Sequence, residues 1–139
     1  MSTLTSGVAP QRASIARAAE LLEFGMYAEA LALVEGLPED HRQAPAARRV
    51  LVRAATGTGR WNLALGLAKA LRDGNNADRH EAAKAFQALA AEACNRGRDD
   101  DARRLVVVAV QTRLEQLDEI LADERFPAKF RERLASRWK

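Results

Sequence analysis

The chain is poor in several residue types that would point to a function. Cys94 is the single cysteine among 139 residues. An intrachain disulfide and a cysteine-built zinc site are therefore excluded, and a reducing, cytoplasmic setting is expected. Aromatic residues amount to only 5% while alanine is very frequent, which disfavours a sheet and predicts an all-α class. The longest apolar run, Leu105 to Val110, is far short of the roughly 20 residues that a membrane span needs. Charge of one sign is missing too: 22 basic residues face 19 acidic ones, for a net +3, and the signs interleave. No polybasic arm results, and nucleic acid is disfavoured, because a phosphate binder gathers its Lys and Arg on one face. Residues Met1 to Pro10 are small and polar, without the basic start and apolar stretch of a secretion signal. They are expected to form a flexible leader over 1–10.

What is present is helical periodicity in a chain of one-domain length, with 47% hydrophobic and 29% charged residues. Ile15, Ala18, Ala19 and Leu22 recur at three- and four-residue intervals, in a stripe ending at Phe24 and Gly25. Tyr27, Ala30, Leu31, Val34 and Leu37 form a second stripe, stopped by Pro38. The same features return downstream. Gly25 and Gly59 lie 59 − 25 = 34 residues apart. At that offset Tyr27 pairs with Trp61, Ala30 with Ala64, Leu31 with Leu65, Leu33 with Leu67 and Leu37 with Leu71, while upstream Ala13 pairs with Ala47 and Ala18 with Val52. A third, eroded copy keeps Gly97, Ala102, Leu105 and Val106 but has Asp99 in place of the aromatic residue. It lies 97 − 59 = 38 residues on, with the excess in the connection from Arg72 to Glu81.

Each copy reads as a helix, a glycine turn and a second helix whose alanine lets the pair approach closely. Pro45 stands where a helix would begin, and Asp78 followed by Glu81 has the spacing of a capping box. Beyond Val110 the stripe continues through Leu114, Leu117, Ile120 and Leu121, predicting that this helix runs long. Phe126, Phe130, Leu134 and Trp138 then share one face at intervals of four. They are expected to form a capping helix over 125–139, or alternatively a surface that docks a second copy.

The run FGMYAEALALVEGLP, with its glycine, aromatic, Glu29–Ala30 pair and closing Pro38, resembles the second half of a tetratricopeptide repeat, and the 34-residue period is that repeat's length. The resemblance implies an all-α, right-handed superhelical solenoid of three hairpins, with a domain over 11–124 and repeats at about 11–44, 45–78 and 79–112. The alanine and arginine richness is of a bacterial kind. In such proteins the first helix of each pair lines a concave groove, which here assigns partner contact to Arg12, Arg49, Arg53, Lys84, Gln87 and Asn95. A groove basic at its centre implies an acidic peptide or protein, held by an adaptor or scaffold that is a monomer or a homodimer. Two alternatives are a small secretion-type chaperone for an amphipathic helix and an RNA-binding helical-repeat protein.

No enzyme is expected, and no cofactor or metal. The Gly-x-Gly of Thr56 to Gly59 has Asn62 where a dinucleotide fingerprint needs its third glycine. Asp99, Asp100 and Asp101 lack calcium-loop spacing and suit the positive end of a helix dipole. His41 and His80 have no companion at ligand spacing. Cys94 is expected as a small buried hydrophobe.

Overall fold

The structure is a computed structural model that describes residues 9–138. Among these residues every regular element is helical, and no helix is long and apolar enough to cross a membrane. The expected leader falls outside the described residues except for Ala9 and Pro10, which already belong to the first helix. In order the helices are α1 (Ala9–Glu23), α2 (Tyr27–Glu35), α3 (Glu39–Arg42), α4 (Pro45–Gly57), α5 (Trp61–Leu71), α6 (Asn76–Asn95), α7 (Asp99–Thr112), α8 (Gln116–Leu121) and α9 (Ala128–Trp138). The chain forms two compact units, one up to Leu67 and one from Ala68.

Three glycines organise the helix ends. Gly25, Gly59 and Gly97 have φ of +73°, +73° and +75°, a region that costs an L-residue about 1–2 kcal/mol. Each sits in the same pair of hydrogen bonds. The Gly25 N–H donates to the Leu22 carbonyl (3.0 Å) and Met26 N–H to that of Leu21 (2.9 Å). Gly59 and Arg60 repeat this toward Thr56 and Ala55, as do Gly97 and Arg98 toward Cys94 and Ala93. This is the Schellman arrangement, which satisfies the carbonyls left over at a helix end. Five residues after each glycine comes an alanine whose N–H makes an early bond of the next helix: Ala30 to Met26, Ala64 to Arg60, Ala102 to Arg98, each at 3.0 Å. All three alanines are fully buried.

In the first unit α1 packs on α2, both pack on α4, and α3 touches α4. The core joins Ala18, Leu22, Ala30, Leu31, Val34, Ala47, Val50, Leu51 and Ala54. Pro45 occupies the first turn of α4, as expected. Three expected apolar positions of this unit are exposed: Ala13, Phe24 at the turn (80%) and Tyr27 (37%). The short helix α3 follows Pro38, and its first helical bonds run to the Pro38 carbonyl.

Gly57, the last residue of α4, faces the ring of Tyr27, which an added Cβ would overlap. The Gly-x-Gly segment thus serves packing and chain reversal. The Thr56 hydroxyl donates to the Arg53 carbonyl (2.9 Å) and the Thr58 hydroxyl to that of Ala54 (2.8 Å), so both are committed to the helix end.

In the second unit α6 packs along α7, α8 touches both, and α9 packs on α8. Phe86, Leu89, Ala90 and Ala93 of α6 are buried, as are Ala102, Val106, Ala109 and Val110 of α7. The capping box that opens α6 is Asn75 with Asp78, not Asp78 with Glu81. The Asp78 N–H donates to Asn75 Oδ1 (2.9 Å), and Asn75 N–H to Asp78 Oδ2 (3.2 Å). The long helix expected beyond Val110 is also corrected: α7 stops at Thr112, Arg113 is extended (φ −149°, ψ 111°), and Leu114 turns outward at 76% exposure. The break lets α8 fold back so that Gln116 and Ile120 are fully buried. The terminal helix, with Phe126 just before it, buries most of the expected aromatic stripe, while Trp138 is half-buried. Phe126 stacks on Phe130 with ring centroids 5.5 Å apart, and Phe126, Phe130 and Leu134 are all buried.

The Tyr27–Gly57 contact makes a double-mutant prediction. Gly57→Ala should destabilise the chain by about 1–3 kcal/mol through overpacking. In a Tyr27→Ala background the same change should be neutral or stabilise by up to about 1 kcal/mol, because alanine favours a helix over glycine. Urea denaturation of the four proteins measures both; a cost that survives loss of the ring would show that the contact is not its source.

Candidate interaction surfaces

The expected partner residues divide between the units. Arg12 is exposed on α1. Arg49 and Arg53, one turn apart on α4, are both half-buried, and Arg53 Nη1 lies 3.9 Å from Glu23 Oε1 on α1. That pair is long and solvent-facing, in a class worth about 0–1 kcal/mol. In the second unit Lys84 and Asn95 are exposed on α6.

Gln87 departs from its expected place on an open groove. It is 7% exposed and lies in a chain of polar contacts. Arg113 Nη1 donates to Gln116 Oε1 (2.9 Å), Gln116 Nε2 to Gln87 Oε1 (2.5 Å), and Gln87 Nε2 to Asp123 Oδ2 (2.8 Å). Arg125 completes the series, with Nη2 2.7 Å from the same carboxylate oxygen. Burial alone would raise the Asp123 pKa, but hydrogen bonds from Arg125 and Gln87 outweigh it and hold the carboxyl below its ordinary value. Gln87 therefore ties α6 to α8 and to the segment before α9. Its commitment was not legible in the sequence, because its partners lie 29 and 36 residues away.

Cys94 is buried as expected. Burial first, then the nearby Asp99 charge, pushes its thiol up to about 11, against a smaller opposing effect of Arg103. At neutral pH it is a protonated, weakly reactive group. The three aspartates at the start of α7 are exposed and make no side-chain cap. Asp100 pairs with Arg103, and Asp101 with Arg104 at 2.7 Å. Among the described residues no group of three or more His, Cys, Asp or Glu side chains is placed to hold a metal ion.

A surface missed at the sequence level lies on the second unit. Between α7 and α9 runs an open cleft of about 600 Å³, lined by Asp100, Arg103, Arg104, Val107, Phe130, Arg133, Leu134, Arg137 and Trp138. The arginines interleaved with the apolar stripe, Arg133 and Arg137 beside Leu134 and Trp138, are visible in the sequence. That α7 faces them with two more arginines is a tertiary fact.

No protein-family model matches the chain, and neither a curated protein nor a solved structure matches it.

The polar chain carries a pH prediction. A carboxyl whose folded pKa is depressed stabilises the fold above its unfolded value, about 3.9, and loses that contribution as pH falls through the folded value. Asp123→Ala should cost about 1–3 kcal/mol at neutral pH, since it leaves the Gln87 amide without its acceptor. The gap to wild type should narrow in acid. Denaturation at a series of pH values measures it, and a constant gap would remove the carboxylate's charge from the account.

Proposed function

We propose that the chain is an adaptor: a right-handed solenoid of three tetratricopeptide-like hairpins with a C-terminal cap, which holds a carboxylate-bearing protein segment in the cytoplasm and performs no chemistry. The observation that carries this reading is the threefold recurrence of one local structure. A Schellman glycine followed five residues later by a fully buried alanine occurs at Gly25, Gly59 and Gly97. The first two are 34 residues apart and the third comes after 38 more. Equivalent hairpins that cannot bury their apolar faces alone stack into extended binding surfaces.

The residues offered to an acidic segment are Arg12, Arg49 and Arg53 on the first unit, and, on the second unit taken by itself, Lys84 and Asn95. Arg49 and Arg53, at i and i+4, suit carboxylates one helical turn apart or on alternate residues of an extended strand. Gln87 has no part in it, being committed to Gln116 and Asp123.

Selection of peptides from a random display library on the immobilised chain tests the proposal. Sequences rich in Asp and Glu should be enriched. Their affinity should fall at least about tenfold, a loss of roughly 1.4 kcal/mol, in the Arg49→Glu/Arg53→Glu variant, with helicity by circular dichroism unchanged. Enrichment without acidic bias, or acidic peptides indifferent to these two reversals, would overturn the α4 surface.

A further inference from the structure

The cleft between α7 and α9 differs from the faces above in combining charge with an open apolar floor. Val107 is 38% exposed, and Trp138 is half-buried. On its α7 side Arg103 is paired with Asp100 of the same helix. On its α9 side Arg133 and Arg137 are exposed, one turn apart, and among the described residues no carboxylate lies within ion-pair distance of either. Like charges at i and i+4 repel by a few tenths of a kcal/mol on a helix. A carboxylate brought between them turns that repulsion into two charge-assisted hydrogen bonds.

We propose that this cleft docks an acidic protein segment, seating one large apolar side chain against Val107 and Trp138 while carboxylates on either side of it meet Arg133 and Arg137. The volume, about 600 Å³, suits a few side chains of one short stretch. Charge complementarity selects an acidic partner, and the apolar floor selects a protein segment over a nucleic acid. A phosphate backbone would leave the apolar surface of Val107 uncovered. The inference goes beyond the adaptor reading: it needs neither the solenoid nor the α4 arginines.

The test uses the full chain and a fluorescein-labelled peptide with a Leu-Phe pair flanked on both sides by two glutamates, read by fluorescence anisotropy. Saturable binding is expected. It should weaken at least about tenfold in Arg133→Glu/Arg137→Glu, and as much when Ser-Ser replaces Leu-Phe in the peptide. A charge-matched control at exposed positions remote in sequence, Arg17→Glu/Lys69→Glu, should bind as wild type does. Since the reversed arginines are exposed, circular dichroism should report unchanged helicity.

Several results would overturn the inference: no binding by wild type, a reversed α9 that binds equally well, or a Ser-Ser peptide as good as the parent. Displacement by oligouridylate as effective as by unlabelled peptide would also overturn it, by assigning the cleft to phosphates. The Arg49→Glu/Arg53→Glu protein separates the two surfaces. Loss there with none on α9 reversal defeats this inference and leaves the adaptor reading standing, whereas loss on α9 reversal alone supports the cleft.

Discussion

A left-handed backbone at three positions is the constraint on which the helical organisation depends. A helix closed by a residue at φ near +73° has its terminal carbonyls satisfied within two residues, so the next helix can begin almost at once and run back along the first. Only glycine takes that conformation without a Cβ penalty. Short reversal in turn brings the paired helices close together, which favours the smallest side chain that still supports a helix at the point of approach. Ala30, Ala64 and Ala102, five residues after each glycine, each have no exposed surface.

The second unit adds a different kind of tie. Alanine-rich contact between α6 and α7 is close but has little shape with which to fix the positions of α8 and α9. The chain from Arg113 through Gln116 and Gln87 to Asp123 supplies direction, because each amide uses both its donor and its acceptor. A buried polar network that is satisfied in this way specifies one arrangement where apolar packing alone would tolerate several.

Features set by backbone conformation or by local spacing were legible in the sequence: the glycine turns, the alanines, proline at the start of α4, and the stripe of Phe126, Phe130 and Leu134. Features decided between distant residues were not. One local feature was also missed: the capping box of Asn75 carries Asp78 where the usual pattern has Glu or Gln, so the spacing of Asp78 with Glu81 fitted that pattern better. No glycine or proline marks the break at Arg113; what the break secures is burial of Gln116 and Ile120. Gln87 reads as a polar residue on a helix until its partners are seen. The arginine-rimmed cleft requires knowing that α7 and α9 flank the same space, which spacing along one helix does not reveal.

Cys94 has a practical consequence. A lone thiol, shielded from solvent and held protonated near neutrality, reacts with an alkylating reagent chiefly when its surroundings open. Its modification rate is therefore a built-in clock for the parting of α6 from its neighbours. The wild-type chain can report its own local opening without any engineered label.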